Sequence, residues 1–366
     1  MTAEIDKNKS APPRYAHGGG IDEAAQETGL APGEILDFSA SINPLGPPES
    51  VLAAVRESLG RLVHYPEVDA ASFEREVADW HGLDSRQVLA GSGSTELIYL
   101  LPRALRPRRA LLVAPCFSEY ERALLQEGIP FDFLSLSPPQ QFAFLPHQLT
   151  GALRDDTDMV WLANPGNPSG AAMPPAQVEE MARLLPDQVT LVVDEAFIDF
   201  APEHSCTPLL ETVSNLVVLR SMTKFYAIPG LRLGYLLGAP AVTEGLAQMR
   251  LPWGLSTPAL AAGFACLKAD AFRSRSLDAI PLLRKKLGEE LTKLDLDVFD
   301  SATNFLLVQL PDSRSSSLLA AGMRHNGILV RDCVNFEGLD ESFIRVAVRL
   351  EEENDRLIRA LAEMLR

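Results

Sequence analysis

Short apolar runs alternate with amphipathic stretches between residues 90 and 250, and this alternation restricts the fold more than any other feature. Strands that are buried on both faces read as continuous apolar runs, so the pattern predicts an α/β domain with a largely parallel sheet. The predicted strands are RRALLVAP (108–115), DMVWLANP (158–165), TLVVDEAF (190–197), NLVVLRS (215–221) and LRLGYLLG (231–238). Helices are predicted between them, at 95–105, 117–127, 175–185 and 241–250.

The pattern changes after residue 270, where a long charged helix is followed by shorter strands and helices. Strands are predicted near 296–300 and 304–310 and in GILVRD and SFIRVAVR, and a helix closes the chain at 351–365. We therefore predict three regions. Residues 1–45 form an N-terminal arm that joins the small domain, residues 46–270 form the large domain, and residues 271–366 form a small α+β domain.

The charge balance excludes several kinds of partner. The chain has 366 residues, with 33 Lys and Arg against 49 Asp and Glu, which gives a net charge of −16. A general affinity for nucleic acid or for an anionic membrane is not expected of such a protein. An anionic ligand must then be held by a local cluster of donors.

Cysteine and histidine spacing predicts neither a structural metal site nor a disulfide framework. The four cysteines lie far apart and form no C-x-x-C pair, and the six histidines do not fall at metal-ligand spacing. The first residues, MTAEIDKNKSAPPR, lack the apolar stretch of a signal peptide, and no apolar run reaches about 18 residues. We therefore predict a cytoplasmic protein that binds no metal.

Polar residues follow several of the predicted strands. In AGSGSTEL (90–97), two glycines and two hydroxyl residues precede a helix, whose free N–H groups and dipole suit a phosphate. Taken alone, that segment is better explained by an ordinary turn with Ser94 or Thr95 as the helix N-cap. Asp194 directly follows apolar strand residues, where a carboxylate needs a cationic partner. Lys224 and Arg232 lie in SMTKFYAIPGLRLGY (221–235), at the same kind of boundary.

Taken together and in this order, the Gly-rich turn, NPGNPSG, DEAF, SMTK and GLRLGY resemble the fold-type I pyridoxal-phosphate enzymes of the aminotransferase superfamily. The resemblance covers roughly the whole chain and implies pyridoxal 5′-phosphate as cofactor, bound by the large domain. Lys224 would attach the cofactor covalently, because an uncharged amine can attack its aldehyde. Asp194 would pair with the pyridine nitrogen and make the ring an electron sink. Asn167 would donate to the phenolic oxygen, and Phe117 would stack on the ring.

The same resemblance implies a phosphate cup for the cofactor and a second subunit. The phosphate would be held by Arg232, by the hydroxyls of Thr223 and Ser221, and by the N–H groups of Ser94 and Thr95. Tyr65, in HYPEVD, resembles a residue that this superfamily sends across a dimer interface to the same phosphate. A homodimer is therefore expected, unless Tyr65 is an ordinary packed tyrosine beside a proline turn.

The two ends of the chain resemble the L-threonine-O-3-phosphate decarboxylases of the cobalamin pathway. The similar segments are AHGGG (16–20), DFSASINPLGPP (37–48) and LVRDCVNFEGLDESFIRVAVR (329–349). Carried over to this chain, the resemblance implies that a small phosphorylated amino acid is held by His17, Gly18, Ser41, Asn167, Arg331 and Arg345. A phosphate and a carboxylate bound by an acidic protein require fixed guanidinium groups, which supports the two arginines. His17 could equally be a satisfied polar residue in a Gly-rich turn.

Three positions depart from the expected patterns and leave more than one function open. Phe197 stands where many relatives have a tyrosine that also touches the phenolic oxygen, which makes a standard transaminase less favoured. Gly20 and Ser41 stand where the decarboxylases usually carry asparagine, so a related substrate such as O-phosphoserine stays open. A histidinol-phosphate aminotransferase is the second enzyme that these motifs fit. A cofactor-sensing regulator would be a non-enzymatic function, and it is disfavoured because this chain lacks a basic DNA-binding module.

Overall fold

The computed structural model of the protein describes residues 17–311 and 314–366. The helices are α1 (Ile21–Thr28), α2 (Glu49–Ser58), α3 (Ala71–His81), α4 (Gly93–Leu105), α5 (Ser118–Gln126), α6 (His147–Ala152), α7 (Pro175–Leu184), α8 (Met222–Phe225), α9 (Pro240–Ala247), α10 (Thr257–Leu267), α11 (Asp270–Thr292), α12 (Ser316–His325) and α13 (Glu351–Met364). The strands are β1 (Leu36–Asp37), β2 (Val88–Gly91), β3 (Ala110–Ala114), β4 (Phe131–Ser135), β5 (Met159–Ala163), β6 (Thr190–Glu195), β7 (Leu216–Ser221), β8 (Gly234–Gly238), β9 (Asp297–Val298), β10 (Phe305–Gln309), β11 (Ile328–Leu329), β12 (Arg331–Asp332) and β13 (Phe343–Ala347).

A seven-stranded mixed sheet forms the centre of the large domain, in the order β2-β8-β7-β6-β5-β3-β4. The strands from β7 to β4 in this order are parallel, whereas β8 runs antiparallel to both of its neighbours. The predicted α/β class and the largely parallel sheet are confirmed. Because β8 is reversed, its first residue lies at the edge where β2 and β7 end.

Apolar side chains cover both faces of this sheet. Alternate residues of a strand point to opposite faces, so Leu191 and Val193 of β6 belong to one core cluster and Val192 to the other. The strands β3 and β7 are buried along their whole length. Burial on both faces is the reason why the parallel strands read as unbroken apolar runs.

The C-terminal region builds a second sheet in the order β12-β13-β10-β9, with antiparallel pairing throughout. The strand β1 pairs in parallel with β11, and Leu36 and Phe38 pack into the same core as α11, α12 and α13. The N-terminal segment is thus attached to the small domain. We propose the domain limits predicted from the sequence: 1–45 for the arm, 46–270 for the large domain and 271–366 for the small domain. Residues 1–16 of the arm lie outside the described residues.

Two strands of the large sheet are absent from the strands predicted by sequence. They are β2, whose short run VLAG precedes the Gly-rich turn, and the edge strand β4, whose residues are only half-buried. The predicted strand GILVRD divides into β11 and β12, which belong to different sheets. Over residues 17–311 and 314–366, none of the helices combines the length and the apolar content that crossing a bilayer requires.

Candidate active site

A cavity of about 240 Å³ lies where the carboxyl ends of β5, β6 and β7 meet the start of β8. The topology brings polar residues together here because parallel strands end at the same edge. The predicted site residues that line the cavity are His17, Gly18, Ser41, Ser94, Thr95, Phe117, Asn167, Asp194, Ser221, Thr223, Lys224, Arg232, Arg331 and Arg345.

One end of the cavity is shaped for a phosphate by two glycines that leave no room for a side chain. A Cβ on Gly93 would lie 2.6 Å from Nη2 of Arg232, and the φ of Gly93 is +77°. A Cβ on Gly234 would lie 2.6 Å from the backbone nitrogen of Ser94. The guanidinium and the start of α4 therefore approach each other only because both positions lack a Cβ.

The donors at this end are chemically matched to a phosphate. The helix α4 begins at Gly93 without a side-chain cap, so its first N–H groups and its dipole face the cavity. The hydroxyls of Ser221 and Thr223 lie 2.8 Å apart, and both residues are buried. Together with Arg232 they form the set of neutral and charged donors that the pyridoxal phosphate group requires, and the residues present fit this cofactor.

Lys224 is placed in an environment that favours its neutral amine. Burial, together with the positive charges of Arg232 and Arg345, lowers the pKa of Lys224 to about 8, and the charge of Asp194 opposes this only in part. Roughly a tenth of the amine is then unprotonated at pH 7, far more than for a lysine of ordinary pKa. This is the form that attacks an aldehyde, so the side chain suits the covalent attachment proposed for it.

Asp194, at the end of β6, is oriented by two donors. The hydroxyl of Tyr120 donates to Oδ2 at 2.6 Å, and the backbone N–H of Ala196 donates to Oδ1 at 2.9 Å. Burial raises the pKa of Asp194, and the bond from Tyr120 is the main opposing influence. A buried carboxylate of this kind favours a cationic partner, which a protonated pyridine nitrogen would provide.

Arg345 lies almost fully buried on the opposite side of the cavity, in β13. Its Nη1 donates to Oδ1 of Asn167, its Nη2 donates to the carbonyl of Ser39 at 2.9 Å, and its guanidinium lies 5.1 Å from the ring centre of Phe305. Within residues 17–311 and 314–366, no carboxylate lies at ion-pair distance, and the buried Nε has no hydrogen-bond partner. Burial lowers the pKa of Arg345 to about 10, with Arg331 acting in the same direction. The side chain has the properties of an anion receptor.

Arg331 is the cross-strand partner of Arg345 in the β12–β13 pair. Its guanidinium donates to the carbonyl of Asp332 and to Oδ1 of Asn335, each at 2.6 Å, and it lies 5.0 Å from the ring centre of Phe336. Burial lowers its pKa as well. Two guanidinium groups thus border the same cavity at adjacent positions of one sheet.

The N-terminal turn forms the mouth of the cavity. Gly18 packs so closely on the 39–41 segment that a Cβ would lie 2.2 Å from the carbonyl oxygen of Ser39. The hydroxyl of Ser41 is buried there, with no hydrogen-bond partner among the described residues. His17 contributes a ring at the rim, and Nε2 of that ring lies 2.9 Å from Oε1 of Glu119.

Tyr65 lies outside the cavity. Its side chain is 81% exposed, and its ring lies 5.1 Å from that of Trp253. Phe197 borders the cavity but is directed into an apolar contact, edge-on to Phe305 at 4.9 Å. The hydroxyl that a tyrosine would supply at that position is absent from this site.

The sequence interpretation missed Tyr120, which lines the cavity, and Glu119, which contacts His17 at the rim; both lie in α5. They follow Phe117 by three and two positions, in the segment APCFSEY. Glu119 is buried in the first turn of the helix. A glutamate at a buried helix position indicates a polar partner nearby, because a buried carboxylate needs one. The hydrogen bond from Tyr120 to Asp194 joins residues 74 positions apart, so no local sequence pattern indicates it.

Comparison with known proteins places the chain in a defined group. Residues 33–361 match the family model described as aminotransferase class I and II. A threonine-phosphate decarboxylase of Salmonella typhimurium is 37% identical over 354 residues, which cover 96% of each chain. The crystal structure of the histidinol-phosphate aminotransferase from Clostridium acetobutylicum has a TM-score of 0.84 at 30% identity, covering 90% of this chain and 99% of that one. The L-threonine-O-3-phosphate decarboxylase from Porphyromonas gingivalis has a TM-score of 0.82 at 27% identity, with the same coverage.

Proposed function

Because this chain belongs to the aminotransferase class I and II family and is a pyridoxal-phosphate enzyme, we propose that it decarboxylates L-threonine O-3-phosphate. The product would be (R)-1-amino-2-propanol O-2-phosphate, which supplies the nucleotide loop of cobalamin. The proposal rests on the similarity to the Salmonella typhimurium decarboxylase and on the composition of the cavity.

The observation that carries the substrate assignment is the pair of buried guanidinium groups at Arg331 and Arg345. The guanidinium of Arg345 is buried with no carboxylate at ion-pair distance among the described residues, which is costly, and a bound anion offsets that cost. The substrate carries two anionic groups, a carboxylate and a phosphate. We assign the carboxylate to Arg345, next to Asn167 and Lys224, and the phosphate to Arg331 and the mouth at His17 and Ser41.

Pyridoxal phosphate, when bound, provides the electron sink that accepts the electron pair of the broken carbon–carbon bond. The residues of the chain would orient the substrate and transfer the proton. Asp194 would hold a cationic ring nitrogen at the inner end of the cavity, and Arg345 would fix the direction of the substrate carboxylate. Lys224 Nζ, with its lowered pKa, would return a proton to the α-carbon after carbon dioxide has left.

A second candidate function is histidinol-phosphate aminotransfer, since the Clostridium acetobutylicum aminotransferase shares the fold at 30% identity. Such an enzyme needs the same lysine, aspartate and phosphate donors, but it exposes the α-hydrogen instead of the carboxylate. Phe197 favours decarboxylation over aminotransfer. Its ring packs on Phe305, so the site lacks one of the donors to the phenolic oxygen expected of a standard transaminase.

The test is a product analysis with the purified holo-protein. O-phosphothreonine, O-phosphoserine and histidinol phosphate are supplied separately, and carbon dioxide, keto product and pyridoxamine phosphate are measured. We expect carbon dioxide from O-phosphothreonine, without a need for 2-oxoglutarate. Keto product and pyridoxamine phosphate without carbon dioxide, or rapid glutamate-coupled turnover of histidinol phosphate, would assign the chain to the aminotransferases. If only O-phosphoserine releases carbon dioxide, the enzyme is still a decarboxylase, but its substrate is O-phosphoserine and not O-phosphothreonine.

We also propose that the working unit is a homodimer in the cytoplasm. Exposed apolar side chains cluster in the segment 59–68 and beside it; they are Leu59, Leu62, Val63, Tyr65, Val68, Leu251 and Trp253. The backbone N–H of Trp253 donates to the carbonyl of Val68 at 2.8 Å, which makes the two segments one surface. Contiguous exposed apolar surface of this kind is typical of a protein interface. A reducing compartment agrees with the four cysteines, which are all buried free thiols.

A further inference from the structure

Glu119 of α5 is a buried carboxylate that side chains from the N-terminal turn, from α4 and from its own helix approach. His17 Nε2 of the N-terminal turn lies 2.9 Å from its Oε1, and Tyr99 of α4 donates its hydroxyl to Oε2. Nη1 of Arg122, one turn further along α5, lies 3.7 Å from Oε1. The side chain of Glu119 is 6% exposed, whereas that of His17 is 44% exposed. An internal carboxylate thus holds a ring at the cavity mouth.

The charge state of Glu119 determines which nitrogen of His17 carries a proton. Burial raises the pKa of Glu119, but the hydrogen bonds from His17 and Tyr99 and the charge of Arg122 lower it by more, so that its net pKa is below the ordinary value. The group is therefore an anion at neutral pH and only accepts hydrogen bonds. Nε2 of His17 must then be the donor, and Nδ1 is the remaining ring nitrogen, which donates to a phosphate oxygen when the ring is the imidazolium.

The rest of the turn fixes the direction of that ring. The ring of Phe117 lies 5.5 Å from it, at an interplanar angle of 50°. The next two residues are bound to the 39–41 segment, because Gly18 is in close contact with the carbonyl of Ser39 and the N–H of Gly19 donates to its hydroxyl at 2.9 Å. In the part of the chain that the structure describes, Nδ1 of His17 has no hydrogen-bond partner. His17 lines the cavity and Glu119 does not, so Glu119 reaches a ligand only through His17.

We propose that Glu119 is a positioning residue that holds His17 with Nε2 directed away from the cavity and Nδ1 directed to the phosphate of the substrate. The assignment rests on the proposed function for the presence of a phosphorylated amine, and it holds for O-phosphothreonine and for histidinol phosphate alike. Glu119 thereby contributes to the preference for phosphorylated over unphosphorylated amines, although it does not contact the ligand itself.

The experiment is a binding titration of the holo-protein, followed through the absorbance of the cofactor. The ligands are O-phosphothreonine and histidinol phosphate, each compared with its unphosphorylated counterpart, threonine or histidinol. The variants are His17→Ala, Glu119→Ala, the double variant and Glu119→Gln. Glu127→Gln is the matched control, since Glu127, the residue that follows α5, also contacts α4 through Arg103 but is not part of the cavity.

We expect His17→Ala to weaken binding of the phosphorylated ligands by about tenfold, which corresponds to one charge-assisted contact, and to leave the unphosphorylated ligands within about twofold. Glu119→Ala should cause a similar loss, and the double variant should lose no more than His17→Ala alone, because both changes remove the same interaction. Glu119→Gln should be intermediate, since its amide oxygen still accepts from Nε2. The control variant should bind like the unchanged protein.

Losses that add up in the double variant, or equal losses for phosphorylated and unphosphorylated ligands, would show that Glu119 only stabilises the fold and would overturn the proposal. If Glu119→Ala does not fold, the comparison of Glu119→Gln with His17→Ala decides in the same way. If the product analysis finds no carbon dioxide but the binding titrations give the expected pattern, the decarboxylase function is refuted and the role proposed for Glu119 is supported. An unchanged protein that does not prefer either phosphorylated ligand refutes both.

Discussion

The phosphate end of the cavity depends on Gly93, and replacing this residue by alanine tests that dependence. The added Cβ would lie 2.6 Å from Nη2 and 3.2 Å from Cζ of Arg232. The guanidinium is the mobile end of a long side chain, so it can move away, but it then leaves its place beside the first N–H groups of α4. Gly93→Ala should therefore fold and bind the cofactor phosphate poorly.

The expected size of the effect has two separable parts. An alanine at the φ of +77° observed for Gly93 costs about 1–2 kcal/mol of stability, because its Cβ crowds the following carbonyl. Displacing Arg232 from a phosphate removes a charge-assisted contact worth about 1.5–3 kcal/mol, which is roughly a 10- to 150-fold increase in the dissociation constant of pyridoxal phosphate. Pyridoxal, which has no phosphate, should bind almost as before.

Gly128→Ala is the matched control. Gly128 also has a positive φ, +67°, but a Cβ there would meet nothing within 4 Å. The two variants should lose similar stability in urea denaturation, and Gly93→Ala alone should lose affinity for pyridoxal phosphate in titrations of the apo-protein. The reasoning is refuted if both variants bind pyridoxal phosphate equally well, or if Gly93→Ala loses affinity for pyridoxal to the same degree.

Four further predictions concern other parts of the site. Tyr120→Phe removes a donor to the buried Asp194 and should lower the free energy of unfolding of the apo-protein by about 1–3 kcal/mol in urea denaturation, and an unchanged midpoint would contradict this. Arg345→Lys should raise KM and lower kcat in steady-state assays, since lysine cannot form a bidentate contact to a carboxylate; a change in KM alone would limit its role to binding. The folded-state pKa of Lys224 is lowered to about 8 from 10.5, so the unfolded apo-protein binds more protons than the folded one between these pH values. The contribution of this group to the free energy of unfolding should therefore rise with pH across that window. Attachment of the cofactor should follow a midpoint near pH 8. Sedimentation should show a dimer, and Tyr65→Phe should weaken cofactor retention by about 1–3 kcal/mol, whereas a fully active monomer would remove the interface assignment.

The sequence by itself determined the fold class through local patterns, and its motifs identified most of the cavity lining through their resemblance to a known superfamily. Strands buried on both faces must be apolar throughout, so β3, β5, β6 and β7 are visible as runs, and the residues that end them must be polar if they meet a ligand. Lys224, Asp194 and Asn167 lie in such segments, where the motif and the strand boundary coincide. The edge strand β4 lacks this signal because one of its sides faces no neighbouring strand and its residues are only half-buried.

Tertiary structure alone decided which side chains fix the orientation and the charge of those residues. The bond from Tyr120 to Asp194 joins positions 74 apart, the one between His17 and Glu119 joins positions 102 apart, and that from Arg345 to Asn167 joins positions 178 apart. No sequence periodicity encodes such pairs, since each arises from the packing of elements whose separation along the chain is arbitrary. The lowered pKa of Lys224 has the same origin. Desolvation and the charges of Arg232 and Arg345 exist only when the small domain closes one side of the cavity and the sheet edge closes the other.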